Sequence, residues 1–252
     1  MNININSLIK RWQDKYITAP RAMKQLSKTH PDGVNIIHKV KDSRLTYLDN
    51  MALIELYQTI IDIENRNLDG IFIEAGVALG GSAIVITAAK RKTRPFKLYD
   101  TFEMIPPPST KDSDDVHLRW LEISSGKAQG IQGDLYYGYD NNLLEHVKAN
   151  FSKFGFNPED SYIHFIQGLF QDKMQIDEPV AFAHLDCDWY QSVWTCLERI
   201  EPNLIPGGIL IIDDYEHWSG CRQAVDDYFS HNRNQYIFKQ RSRLHILKTQ
   251  LE

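Results

Sequence analysis

Two pairs of carboxylates stand directly after apolar segments that lie far apart in the chain. Asp186 and Asp188 follow the segment in "AFAHLDCDWY", and Asp213 and Asp214 follow the one in "GILIIDDYEHW". If these segments are neighbouring parallel strands, their carboxyl ends share one edge of a sheet and the acids converge. Like charges at short range raise one another's pKa, and a divalent cation relieves the repulsion. All-oxygen ligation favours Mg²⁺, Mn²⁺ or Ca²⁺ over zinc.

Other residues near these acids have simpler interpretations. For Asp188, capping of the helix that follows is favoured over metal ligation. His184 falls within the strand pattern and is more often a packed histidine than a base. Cys187 has no visible activating partner, so no chemical role is expected for it.

A glycine-containing turn in "FIEAGVALGGSAIVITAAK" indicates a nucleotide site of an unusual kind. It lacks the lysine of a phosphate-binding loop, and its glycines at positions 76, 80 and 81 do not form GxGxxG. Glu74, at the tip of the first strand, disfavours a pyrophosphate and favours a cationic ligand or a ribose hydroxyl. Gly76 allows close approach of the backbone, and Ser82 is placed to cap the next helix or to bind a ligand carboxylate.

A second acid, Asp100, ends the next strand, where it can accept hydrogen bonds from both hydroxyls of a ribose. Two acids and a glycine turn suit an unphosphorylated, positively charged nucleoside, and S-adenosylmethionine has that form. The alternative is that Glu74 and Asp100 only cap strands and hold loops. A metal next to a methyl donor would bind an alcohol, lower its pKa and orient it for attack, with one acid as base.

The elements that position these residues form an α/β pattern. Residues 1–68 are predicted to be a helical extension, and residues 69–252 alternate short apolar strands with helices. Five parallel strands and a closing hairpin, "QYIFKQ" and "RLHILK", predict a mostly parallel sheet of seven strands with helices on both faces. A long irregular stretch at about 104–139 is expected to be a lid, with a disordered loop as the alternative.

Composition excludes several classes of function. The 252 residues carry 33 acidic against 28 basic side chains, which disfavours a nucleic-acid or anionic-membrane partner. No signal sequence is evident, and no apolar run approaches the roughly 18 residues of a membrane span. Three cysteines without a paired spacing argue against a disulfide framework. The expected location is cytoplasmic.

Five motifs together resemble the macrocin O-methyltransferase (TylF/MycF) family. They are "EAGVALGGSA", "LYDTFEMIP", "HLDCDWYQS", "PGGILIIDDY" and "GCRQAVDDYF", and the resemblance runs from about residue 46 to residue 229. It implies a class I methyltransferase with a seven-stranded Rossmann-like sheet. It also implies methylation of sugar hydroxyls of natural products with S-adenosylmethionine and Mg²⁺.

The resemblance assigns roles to individual residues. It implies that Asp186, Asp213 and Asp214 ligate the metal and that Asp186 is the leading candidate for the general base. The cofactor positions implied or expected are Glu74, Gly76, Ser82, Asp100, Thr101, Gln167, Gly168 and Phe170, the last three near the adenine.

The predicted function is therefore metal-dependent O-methylation by S-adenosylmethionine of a small-molecule hydroxyl, on a sugar or another natural-product group. Two alternatives stay open. One is methylation of a catechol-like phenol, whose neighbouring oxygens would also chelate a metal. The other is a non-catalytic module that binds S-adenosylmethionine or forms oligomers. Whether the chain forms a homo-oligomer is also open.

Overall fold

A computed structural model describes residues 14–249, and within them the N-terminal region is helical as predicted. A π-helical turn at Asp14–Thr18 leads into α1 (Ala19–Thr29), α2 (Pro31–Asp42) and α3 (Asn50–Asn65). Asp49 caps α3, because its side chain accepts a hydrogen bond from the Ala52 amide at 2.9 Å. Residues 1–13 of the predicted extension lie outside the described part of the chain.

The sheet has seven strands in the order β3-β2-β1-β4-β5-β7-β6, which confirms the predicted fold. β7 runs antiparallel to both of its neighbours. The strands are β1 (Ile71–Ala75), β2 (Phe96–Asp100), β3 (Ile163–Gln167), β4 (Val180–Leu185), β5 (Leu204–Ile212), β6 (Tyr236–Gln240) and β7 (Leu244–Lys248).

Both faces of the central strands are buried, as expected of a parallel sheet between two helical layers. In β1, Phe72 packs into the core beneath the N-terminal helices, whereas Ile71 and Ile73 point into the core on the opposite face. The remaining helices are α4 (Gly81–Ala89), α5 (Asp114–Ser124), α6 (Leu143–Lys153), α7 (Phe170–Lys173), α8 (Tyr190–Ile200) and α9 (Ser219–Tyr228).

The N-terminal helices do not stand apart from the sheet. Leu53 of α3 and Ile84 of α4 belong to the same buried cluster as Phe72 and Phe182 of the sheet. The boundary at residue 68 therefore stays a prediction about domain organisation, while the packing is continuous. No helix of residues 14–249 is both long and apolar enough to cross a membrane. All three cysteines are free.

The expected lid differs from the sequence prediction in one respect. The stretch 104–139 was expected to be irregular, but it contains the eleven-residue helix α5. Ile123 at the end of α5 packs with Ala128 and Tyr136 in a small core of its own. The segment therefore has internal structure, because its apolar residues bury one another.

Candidate active site

The loops that follow β1, β2, β4 and β5 border two adjoining cavities of about 240 and 60 Å³. The larger lies beside the N-terminal segment and the lid, and the smaller lies beside the loop after β3. Five residues line both cavities: Gly76, Asp100, Tyr137, Asp186 and Asp188. The acids predicted from separate strand ends are thus brought together.

The turn after β1 is pressed against the end of β4. Gly76 has φ of 86°, and a Cβ at this position would lie 1.8 Å from the backbone oxygen of Asp186. Only glycine fits there, because both the backbone conformation and the space exclude a side chain. Ser82 lies in the first turn of α4, on the wall of the larger cavity.

Asp100 organises the loops after β1 and β2. One of its carboxylate oxygens accepts from the amides of Val77 at 2.6 Å and Ala78 at 3.0 Å, and the other from the Phe102 amide at 2.7 Å. Ala78 and Phe102 have φ of 45° and 50°, which are strained values for residues other than glycine. Asp100 therefore holds loops, as in the alternative interpretation, and still borders both cavities. Its contact with a ribose stays a prediction.

Glu74 and His184 form a buried pair beneath the cavities. They are register partners on β1 and β4, and Nδ1 of His184 lies 2.8 Å from Oε1 of Glu74 with neither side chain exposed. Burial lowers the pKa of His184, but its two neighbouring acids, Asp213 with Oδ1 at 3.9 Å and the hydrogen-bonded Glu74, raise it to about 10. Glu74 is not among the described residues that line these two cavities, so its direct contact with a ligand stays a prediction.

Three predicted metal ligands border the larger cavity: Asp186, Asp213 and Asp214. Among the described residues, the group whose spacing could hold an ion contains Asp186 and Asp213 with His184 and not Asp214; its ligand atoms lie within 4.8 Å of one another. Oδ2 of Asp214 is buried and has no hydrogen-bond partner among the described residues. An unpaired buried carboxylate oxygen is costly unless a cation or donor satisfies it.

The charges around these acids favour a cation. Burial and neighbouring acids raise the pKa of Asp186 and Asp214 well above the usual range, and that of Asp188 to about 6. Asp213 behaves differently. Burial raises its pKa, but the neighbouring His184 and Arg243 lower it more, so the pKa of Asp213 lies below its usual value. The oxygen-rich donor set and the free oxygen of Asp214 fit a hard divalent cation, which would keep the acids ionised.

The predicted capping role of Asp188 is wrong. The residue before α8 is Trp189, and no side chain at that position caps the helix. Instead the amide of Tyr190 donates to Oδ1 of Asp112, from the lid, at 2.8 Å. Asp188 has φ of 56° and faces both cavities, a strained placement of the kind found at functional sites.

The three residues expected near the adenine occupy different positions. Gly168 and Phe170 line the smaller cavity, and so does Thr101, another expected cofactor residue. Gln167 ends β3 as an exposed residue and is not among the described residues lining either cavity. Its contact with a cofactor stays a prediction.

Sequence reasoning missed most of the wall opposite the acids. The additional lining residues are Leu45, Thr46, Tyr47, Leu48, Arg119, Ile123, Tyr136, Trp189 and Trp218. They come from the segment before α3, from the lid and from two positions just ahead of α8 and α9. The aromatic-rich "LYYGY" of the lid was the available signal, because exposed loops seldom carry so many tyrosines without a partner surface.

Comparisons with known proteins agree with this geometry. The profile described as "Macrocin-O-methyltransferase (TylF)" matches residues 42–239. A Streptomyces olivaceus protein, the 8-demethyl-8-(2,3-dimethoxy-alpha-L-rhamnosyl)-tetracenomycin-C 4'-O-methyltransferase, is 33% identical over 66% of this chain and 61% of its own length. The mycinamicin III 3''-O-methyltransferase of Micromonospora griseorubida is 31% identical over 66% of this chain and 64% of its own. The chain thus spans a little under two thirds of these relatives.

A solved structure shares the fold. The O-methyltransferase NovP superposes with a TM-score of 0.68 and 24% identity, covering 82% of this chain and 83% of that one. The strand order is that of the class I, Rossmann-like methyltransferase fold. Within that class the chain belongs to the macrocin-O-methyltransferase (TylF) family, which confirms the predicted resemblance.

Proposed function

We propose that this chain is an S-adenosylmethionine-dependent O-methyltransferase that uses a divalent metal to methylate a sugar hydroxyl of a small glycoside. The observation that carries the proposal is the meeting of Asp186, Asp213 and Asp214 at a cavity that also borders the glycine turn. Family membership supports the reaction type. The rhamnosyl-tetracenomycin named for one relative favours a glycoside as the acceptor class.

The cofactor is assigned to the side formed by the smaller cavity and the turn after β1. Thr101, Gly168 and Phe170 line that cavity, and Gly76 and Asp100 are common to both. Ser82 lies in the first turn of α4, where backbone amides and the helix dipole favour the carboxylate of an amino-acid tail. Glu74 is fully buried and paired with His184, and it is assigned to supporting the turn after β1 from below. Gln167 is retained as a cofactor residue on the resemblance alone.

Asp186 is the proposed base because it is the metal-ligand candidate that borders both cavities. S-adenosylmethionine would supply the methyl group to the acceptor oxygen with cleavage of its carbon–sulfur bond, and Asp186 would accept the proton of the acceptor hydroxyl. The products are S-adenosylhomocysteine and a methyl ether. A divalent cation held by Asp186, Asp213 and Asp214 would lower the pKa of the acceptor hydroxyl. Tyr137 and Trp218 line the larger cavity and are assigned to shielding the reacting atoms from water.

A transfer assay with labelled S-adenosylmethionine tests the proposal. The purified chain is incubated with Mg²⁺ and a panel of rhamnosides and other deoxyhexosides, with catechols as a parallel panel, and products are mapped by NMR. Methylation of a sugar hydroxyl supports the proposal. Transfer to catechols alone favours the phenol alternative. Cofactor binding in calorimetry without transfer to any acceptor favours the non-catalytic module, and absence of cofactor binding overturns all three.

A further inference from the structure

Two acids of the lid are hydrogen-bonded to the first residues of two helices elsewhere in the chain. Oδ1 of Asp112 accepts from the Tyr190 amide, the first residue of α8, at 2.8 Å. Oδ2 of Asp115 accepts from the Ser219 amide, the first residue of α9, at 3.1 Å, and Oδ1 accepts from the Ser219 hydroxyl at 2.5 Å. The lid thus contacts both helices through carboxylates.

Neither helix supplies such a group itself. Trp189 precedes α8 and Trp218 precedes α9, and neither offers a side-chain cap. An indole can only donate a hydrogen bond, whereas the first amides of a helix need acceptors. A carboxylate at a helix N-terminus also interacts favourably with the helix dipole. Asp112 and Asp115 therefore do from the lid what a local aspartate or serine does in most helices.

The contacts at the start of α8 hold the side chain of Asp112 in one position. Asp112 is 7% exposed, and its other oxygen accepts from the Ser109 amide at 2.8 Å. A Cβ on Gly220 would lie 2.0 Å from Oδ1 of Asp112, so the carboxylate fits closely against the start of α9 as well. The indole of Trp189 donates a hydrogen bond to the backbone oxygen of Pro106, which is a second contact between the lid and the loop before α8.

Both helices begin directly after the loops that carry the candidate metal ligands. Only Cys187, Asp188 and Trp189 separate Asp186 from α8, and the loop from Asp213 to Trp218 leads into α9. An open lid would leave both helix starts without their acceptors. The position of the lid and the arrangement of the two acidic loops are therefore energetically coupled, in both directions.

We propose that Asp112 and Asp115 are positioning residues, which latch the lid to α8 and α9 and so hold the two acidic loops in their site geometry. The catalytic consequence rests on the proposed function, but the latch itself does not. Ligands bound at the acidic loops stabilise the closed lid. The closed lid in turn raises the affinity of the site for its acceptor.

Hydrogen exchange of the full chain tests the latch without any activity. Asp112→Ala and Asp115→Ala should speed exchange about fivefold, the scale of a lost helix cap, both in the lid and in the loops at 186–192 and 213–220. Asp112→Asn should speed exchange less than Asp112→Ala, since asparagine keeps one acceptor oxygen for the Tyr190 amide but turns a donor towards the Ser109 amide. Asp114→Ala is the matched control on the same turn of α5 and should change neither region. Faster exchange confined to the lid would overturn the coupling.

Kinetics separate the latch from a merely structural role. Once an acceptor is known, the alanine variants should raise its KM about fivefold while kcat at saturation changes less, because a saturating ligand restores the closed arrangement. Equal KM values in the alanine variants and the parent would contradict the proposal. A chain with coupled exchange but no methyl transfer would retain the latch and refute the proposed function. If Asp112→Ala does not fold, the more exposed Asp115 gives the decisive variant.

Discussion

Arg243 reaches from the turn between β6 and β7 to Asp213, with Nε 2.5 Å from Oδ1 of the carboxylate. The two side chains are only 11% and 9% exposed. The same guanidinium lies 3.4 Å from Asp49, the residue that caps α3. Arg243 therefore joins the C-terminal hairpin, the N-terminal helices and one candidate metal ligand, and it supplies a fixed positive charge next to the acids.

Removal of that charge should make the fold more dependent on metal. Arg243→Gln is expected to lower the free energy of unfolding by about 3 kcal/mol, because it leaves Asp213 buried with less compensation. Mg²⁺ should then raise the melting temperature more in the variant than in the parent, since a bound cation replaces the lost charge. Thermal unfolding with Mg²⁺ and with EDTA measures both effects.

Arg222→Gln is the matched control for this substitution, because Arg222 pairs with Glu216 at the surface with side chains 47% and 52% exposed. Exposed pairs contribute roughly 0–1 kcal/mol, so the control should change stability little and should show the same Mg²⁺ shift as the parent. An identical Mg²⁺ shift in Arg243→Gln and in the parent would refute the idea that the cation and the guanidinium neutralise the same acids.

Methyl transfer should depend on a divalent metal held by the three strand-end acids. EDTA should abolish turnover while leaving cofactor binding in calorimetry nearly intact, and Mg²⁺ should restore it. Asp213→Asn and Asp214→Asn should raise the Mg²⁺ concentration needed for half-maximal rate. Asp186→Asn should also lose the base, at a cost of roughly 10²- to 10⁴-fold in rate. Full transfer in EDTA would move the assignment to a metal-free enzyme, with His184 as the next base to test.

Cofactor affinity should depend on Asp100, although the residue also holds two loops. Asp100→Asn replaces one acceptor oxygen with a donor, so it cannot serve all the amides of Val77, Ala78 and Phe102. Binding of S-adenosylmethionine is expected to weaken by roughly 1.5–3 kcal/mol, the scale of hydrogen bonds to a charged group. Calorimetry measures this affinity, and Asp177→Asn is the control because Asp177 is exposed. Unchanged affinity would limit Asp100 to holding loops.

The sheet and its acidic edge were predictable because they depend on local pattern. Apolar runs ending in Asp100, Asp186 and Asp213 fix both the strands and the side of the sheet where those acids lie. The helix α5 was missed although its pattern is present: Val116, Trp120 and Ile123 recur at helical spacing after Ser113. The prolines before it and the glycines after it dominated the interpretation.

Other contacts in the site join residues that are far apart along the chain, and local sequence patterns do not predict such contacts. The pairing of Glu74 with His184 requires the register of β1 against β4. Arg243 approaches Asp213 only because β7 inserts beside β5 in antiparallel orientation. Asp112 replaces Asp188 as the cap of α8 from a position 78 residues away along the chain. In each case the partner is set by tertiary packing rather than by spacing.

An ion pair far from the acidic edge should make stability depend on pH in a defined direction. Nε and Nη2 of Arg94 donate to the two carboxylate oxygens of Glu64 at 2.7 and 2.8 Å, and Arg94 is 2% exposed. Burial raises the pKa of Glu64, but hydrogen bonds from Arg94 and Arg91 lower it more, so this pKa lies below its usual value. The Glu64–Arg94 pair therefore stabilises the fold fully above the pKa that Glu64 has in the unfolded chain. This stabilisation is lost as the pH falls through the pKa that Glu64 has in the folded chain.

Glu64→Gln should accordingly lower the free energy of unfolding by about 3 kcal/mol at neutral pH, because Arg94 remains buried without its counter-charge. Urea unfolding should give the same difference from the parent at pH 7 and at pH 5, and a smaller one near pH 3, because Glu64 is then protonated in the unfolded parent and its pair with Arg94 contributes less to stability. Glu178→Gln is the control: its pair with Lys97 is 46% exposed on the glutamate side, so less than about 1 kcal/mol is expected. A difference that stays constant down to pH 3 would mean that the carboxylate charge of Glu64 does not stabilise the fold.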